Sequence, residues 1–111
     1  KSHAKAPLRA ARQQVVSARR GQSVDFRLSF ESARSLFSAL TPARIDLLDT
    51  LRRTGPSSVK ALALAADRNY SNVHTDVSHL EALGLIERSE AGAVSVPFDS
   101  VEIVVPLAQV A

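Results

Sequence analysis

With 111 residues, 45% of them apolar and 23% charged, the chain is sized for one compact core and is too apolar for a disordered segment. It has no cysteine, which excludes disulfides, thiol nucleophiles and zinc–thiolate sites. The net charge of +3 conceals a split: residues 1–30 hold seven basic side chains and one acidic, a balance of +6, whereas residues 31–111 hold seven basic and ten acidic, a balance of −3.

A basic start on a mildly acidic body suits a nucleic-acid partner, because lysine and arginine displace counterions from phosphates. The apolar runs fall short of the roughly 20 residues that cross a bilayer, and the first residues lack the apolar core of a signal peptide. A soluble, cytoplasmic protein without a membrane partner is expected. With no methionine even at position 1, the chain is expected to begin downstream of its natural start.

Residues 7–20 read as a helix, with Pro7 at its first position and Gly21 just beyond its end. Leu8, Ala11, Val15 and Ala18 share one thin apolar face, so this helix needs a partner surface. Residues 23–30 alternate, with Val24, Phe26, Leu28 and Phe30 on one side and Asp25, Arg27 and Ser29 on the other, the pattern of a half-buried strand. A short helical face follows at Leu36, Phe37 and Leu40. Thr41 caps a helix that starts at Pro42, carries Ile45, Leu48 and Leu51 with Leu47 flanking them, and ends at Gly55 and Pro56. Ser57 or Ser58 caps a second helix with Val59, Leu62, Ala63 and Ala66 on its core side. Asp67 to Tyr70 form a tight polar connection, and Asn69 or Ser71 caps a third helix, whose stripe is Val73, Val77, Leu80 and Leu83 and whose C-terminal cap is Gly84. Residues 85–88 and 93–98 pair as a hairpin around Ser89 to Gly92, with the glycine where a positive φ is needed. A last strand covers 101–107, with Pro106 placing its end at a sheet edge. The strands at 24–30 and 101–107 are expected to pair, within the chain or across a two-fold axis.

This order of elements predicts an α+β fold, mainly α: a winged helix-turn-helix over residues 23–111, with an N-terminal helix and additional flanking strands, behind a basic arm over residues 1–22. The third helix then has the place of a recognition helix, which needs one apolar stripe to hold it and a polar face to enter the major groove. Ser71, Asn72 and Thr75 are the candidates for base contacts, with Ser78, His74 and His79 beside them. An amide such as Asn72 matches adenine, and the Thr75 methyl matches that of thymine. Arg68, Tyr70, Lys60, Arg52, Arg53 and Arg88 are the candidates for phosphates, with Arg44 adding to them. The plain alternative for each polar residue is a solvated helix face.

Catalysis is not expected. His74 and His79 are five residues apart and do not stack as helical metal ligands at i and i+4 do, while Asp76 and His79 at i and i+3 predict a hydrogen bond on the helix surface. Neither a metal nor a cofactor is expected, and the four isolated glycines make no phosphate-cradling loop.

The segments "LTPARIDLL", "NVHTDV" and "LEALGLIER", within residues 30–107, resemble the winged helix-turn-helix DNA-binding proteins of archaea and bacteria that are similar to MarR-type transcriptional regulators. The resemblance implies a cytoplasmic homodimer that binds double-stranded DNA sequence-specifically, and it extends to antitoxin-like relatives that have a protein partner such as a toxin. Asp67 stands where such turns often have glycine, and Ser71 and Thr75 stand where relatives often carry lysine or arginine. A protein-interaction module on the same scaffold, with little DNA binding, is the rival reading.

Overall fold

The computed structural model describes the backbone of residues 11–17 and 24–107 and the side chains of residues 25–107. In chain order the described elements are β1 (Ala11–Ser17), β2 (Val24–Phe30), α1 (Ala33–Ala39), α2 (Pro42–Thr54), α3 (Val59–Ala66), α4 (Tyr70–Ala82), β3 (Glu87–Arg88), β4 (Val94–Ser95) and β5 (Phe98–Val104). The chain is α+β, and it divides into two units: Leu40–Pro97, and Lys1–Ala39 with Phe98–Ala111.

In the second of these, three strands lie in the order β1-β2-β5. β2 pairs with β5 in parallel, so the expected pairing of the two apolar strands is made within the chain. A parallel neighbour requires a long crossover, and here the whole of Leu40–Pro97 comes between the two strands in the sequence. Phe26, Leu28 and Phe30 form the buried face of β2, and the rings of Phe26 and Phe98 stack with centroids 4.5 Å apart. On the solvated side Arg27 meets Glu102 at 2.7 Å and Ser100 Oγ donates to Asp25 at 3.1 Å. β5 starts earlier than expected and stops at Val104, before Pro106, which has no N–H to offer the ladder.

The helix expected over 7–20 is corrected. Residues 11–17 are a strand, antiparallel to β2, with Ala11 opposite Phe30, Gln13 opposite Leu28 and Val15 opposite Phe26. A thin-striped helix is marginal alone, whereas the free edge of β2 offers a full row of N–H and C=O partners and Val15-Val16 favours extended backbone. The remainder of that helix, and Lys1, Lys5, Arg9, Arg19 and Arg20, lie outside the described residues.

In the unit Leu40–Pro97, α2, α3 and α4 pack on one another. Thr41 caps α2 by accepting from Arg44 N–H at 3.3 Å, Ser58 caps α3 through Ala61 N–H at 3.0 Å, and Asn69 caps α4 through Asn72 N–H at 3.2 Å. Pro42 occupies the first position of α2, and Gly55 ends it at φ 82°. The core is built from Leu47, Leu51, Leu62, Val73, Val77 and Leu80, closed below the hairpin by Leu85, Ile86 and Val94. Ile45, expected inward, is 44% exposed, because the inward stripe of α2 runs through positions 44, 47, 48 and 51. The hairpin β3–β4 turns at Gly92, whose φ is 91°, with Ser89 N–H bonding Ala93 C=O at 2.8 Å. A further tie, unmarked by any local sequence signal, joins this hairpin to the start of α3: Ser57 and Val94 exchange both backbone hydrogen bonds, at 3.1 and 2.8 Å.

Candidate nucleic-acid interface

α4 is a two-sided helix. Val73, Val77 and Leu80 are fully enclosed, while Ser71, Asn72, His74, Thr75, Ser78 and His79 are exposed. These six exposed residues include neither carboxylate nor lysine or arginine, and the half-exposed Glu81 follows them at the C-terminal end of the helix. Spacing accounts for this, since 73, 77 and 80 recur at four and three while 71, 75 and 78 form the parallel row on the outer surface. The cap at Asn69 fixes where the helix begins, and Tyr70, 52% exposed, sets its ring 5.9 Å from that of His74.

Two hydroxyls on this face bond back to the helix. Thr75 Oγ1 donates to Ser71 C=O at 3.1 Å and Ser78 Oγ donates to His74 C=O at 3.0 Å. In these two residues the hydroxyl proton is used within the helix, and the oxygen keeps its capacity to accept. Asn72 keeps an amide that both donates and accepts. The face can thus accept hydrogen bonds at Thr75 and Ser78 and both donate and accept at Asn72.

Asp67 precedes α4 at φ 56°, ψ 49°, the left-handed conformation that glycine or a short polar residue tolerates. It directs Arg68 under the helix. There Asp76, expected to bond His79 on the surface, is instead buried: Arg44 Nε donates to its Oδ1 at 2.9 Å and Arg68 Nη2 to its Oδ2 at 2.8 Å. Burial acts to raise the Asp76 pKa, but the hydrogen bonds and charges of Arg44 and Arg68 outweigh it and hold the carboxyl below its ordinary value. The inward stripes of the two helices account for the pairing. Positions 73, 76, 77 and 80 make one stripe and 44, 47, 48 and 51 another, so each helix carries one charge among its inward residues, and the two charges are opposite.

The basic residues expected at phosphates are distributed unevenly. Arg68 is engaged with Asp76, and its Nη1 is enclosed without a hydrogen-bond partner. Arg88 on the hairpin reaches back to Glu81 of α4 at 3.0 Å, and that carboxylate, by its hydrogen bond, raises the Arg88 pKa. Arg52 gives one guanidinium nitrogen to Val96 C=O at 3.0 Å, while its neighbour Arg53 and Lys60 of α3 are exposed. Residues 40–97 hold six basic and seven acidic side chains, so this unit has no strong positive field of its own.

The described residues therefore define an α+β protein with a polar, hydrogen-bonding helix face fixed on an apolar stripe. The model of the HVO_A0114 family matches residues 39–103, more than half of the chain, and the chain belongs to that family. No curated protein and no solved structure matches it.

Proposed function

We propose that the chain is a winged helix-turn-helix protein, similar to MarR-type regulators, that binds double-stranded DNA sequence-specifically as a homodimer and regulates transcription in the cytoplasm. The outward face of α4 carries this reading. α2, α3, α4 and the β3–β4 hairpin follow the order of that motif, and recognition helices meet base edges with their N-terminal residues, the place of Ser71 and Asn72. Asn72 pairs with adenine, and Thr75 accepts from a base amino group, adenine N6 or cytosine N4. Lys60, Arg53, Arg52, Tyr70 and Arg88 contribute phosphate contacts, Arg88 by exchanging a half-exposed carboxylate for a phosphate.

Because residues 40–97 are close to neutral, the basic residues of 1–30 supply most of the counterion release. Edge strand β5 leaves Ile103 and Val104 exposed, a surface suited to a second copy. Selection of bound fragments from a random duplex pool, followed by a salt titration on the winner, tests the proposal. A preferred sequence bound with steep salt dependence supports it, and no enrichment with no binding at low salt refutes it.

One observation favours a second reading, a protein-interaction module such as an antitoxin-type partner binder. Arg44, Arg68 and Arg88 are each committed to a carboxylate of α4. That arrangement spends basic residues on holding the helix.

A further inference from the structure

The apolar stripe of α4 gives it a side to bury and a coarse rotation. Hydrophobic contact is non-directional, so packing of the stripe defines the rotation of the helix less sharply than hydrogen bonds to it do. A side-chain tip stands roughly 5–6 Å from the axis, so a roll of about 20° moves it by about 2 Å. Hydrogen bonds to base edges tolerate a few tenths of an ångström. Directional contacts fix the rotation more sharply: the Arg88–Glu81 pair does so from the edge of α4, and one group does so from within the buried stripe. Asp76 lies within the inward stripe, and its two carboxylate oxygens are taken by arginines from two different places, Arg44 in α2 and Arg68 in the turn before α4. Charge-assisted hydrogen bonds are short and angular, so the pair fixes α4 against α2 on one oxygen and against its own leading turn on the other.

The contacts of Arg68 suit this role. Its side chain is 29% exposed, Nη2 is committed to Asp76 and Nη1 is enclosed. Its backbone N–H bonds Ala63 C=O at 3.0 Å, holding the turn to the end of α3. The left-handed Asp67 directly before it fixes the direction of the chain into that turn.

Resting on the DNA-binding reading, we infer that Asp76 and Arg68 are positioning residues that set the roll of α4, and so determine sequence discrimination without touching DNA. A phosphate contact at Arg68 would lower affinity on every duplex and reduce the salt slope by about 0.9, whereas a positioning role changes preference and leaves the slope alone.

The test uses the full chain, a duplex from the random-pool selection and a scrambled duplex of equal length, with affinities taken by fluorescence anisotropy at several salt concentrations. Arg68→Gln leaves Asp76 tied to Arg44 and is the primary variant. Arg68→Lys restores a cation, and Asp76→Asn removes the charge and replaces one of the two acceptor oxygens with an NH2 donor. We expect Arg68→Gln and Asp76→Asn to lose about tenfold or more of the preference for the selected duplex, as when one base contact is misaligned, with unchanged salt slope. Arg68→Lys should recover part of it. Independently of DNA, amide exchange at residues 71–73 should quicken in Arg68→Gln while the core of α2 stays protected. If Asp76→Asn does not fold, Arg68→Gln and the exchange measurement carry the test. A parent that binds no duplex overturns the DNA-binding reading and with it the discriminating role. A parent that binds, with Arg68→Gln unchanged in preference or with a reduced salt slope, overturns this inference alone.

Discussion

Replacing Leu80 by alanine and, two residues away, Ser78 by alanine separates the two sides of α4. Leu80 is fully enclosed, so truncation to Cβ removes three carbon atoms from the core. At about 0.8 kcal/mol for each buried methylene, the transfer loss is about 2.4 kcal/mol, and the cavity left behind brings the total to about 3 kcal/mol. Against a total stability of about 5–15 kcal/mol this is a large fraction, and in a domain of this size it lowers Tm by about 12 °C. Ser78 is exposed, and its hydroxyl serves only the carbonyl of His74. Alanine has the higher helix propensity there, so the change stays within about 0.5 kcal/mol and about 2 °C. Thermal unfolding followed by circular dichroism reads both. If Ser78→Ala destabilises as much as Leu80→Ala, the assignment of inner and outer sides of α4 is wrong.

Asp67→Val should cost about 1–2 kcal/mol, since a β-branched residue is strained at φ 56°, while Asp67→Gly should remain within about 1 kcal/mol of the parent. Urea unfolding of both variants checks this, and an Asp67→Val variant as stable as the parent would contradict it. The folded-state pKa of Asp76 is depressed, so its contribution is present above the ordinary carboxylate range, near pH 4, and is lost as pH falls through the lower folded value. The stability difference between parent and Asp76→Asn should therefore be about 3 kcal/mol at neutral pH and should shrink in acid, whereas a difference that grows on acidification would refute the pairing.

How far the sequence could be read depended on how local each determinant was. The three helices of Leu40–Pro97 were legible because their signals lie within a few residues: Thr41 before Pro42, Asn69 three residues before the N–H it accepts, the glycines at 55 and 92, and the tolerated left-handed Asp67. β1 was not legible, because Ala11–Ser17 is extended only by virtue of β2, a partner that helical periodicity within 7–20 cannot reveal. The Ser57–Val94 exchange joins residues far apart in the chain and leaves no local mark. The outer face of α4 was legible from spacing, yet the arginines beneath it were not. Arg44 and Asp76 are 32 residues apart, and each looks like an ordinary surface charge until both are placed on their inward stripes. That is why Arg68 reads as a phosphate contact from the sequence and as a partner of Asp76 in the structure.

The central claim, that α4 reads base edges through its outward side, is tested most directly by Asn72→Ala. Its affinity and that of the parent would be measured on a selected duplex and on a scrambled one at equal salt. The account predicts that the variant binds the selected duplex more weakly by about 1–3 kcal/mol and the scrambled duplex as the parent does. Equal affinity of the variant and the parent for both duplexes, or a parent indifferent to sequence, would contradict it.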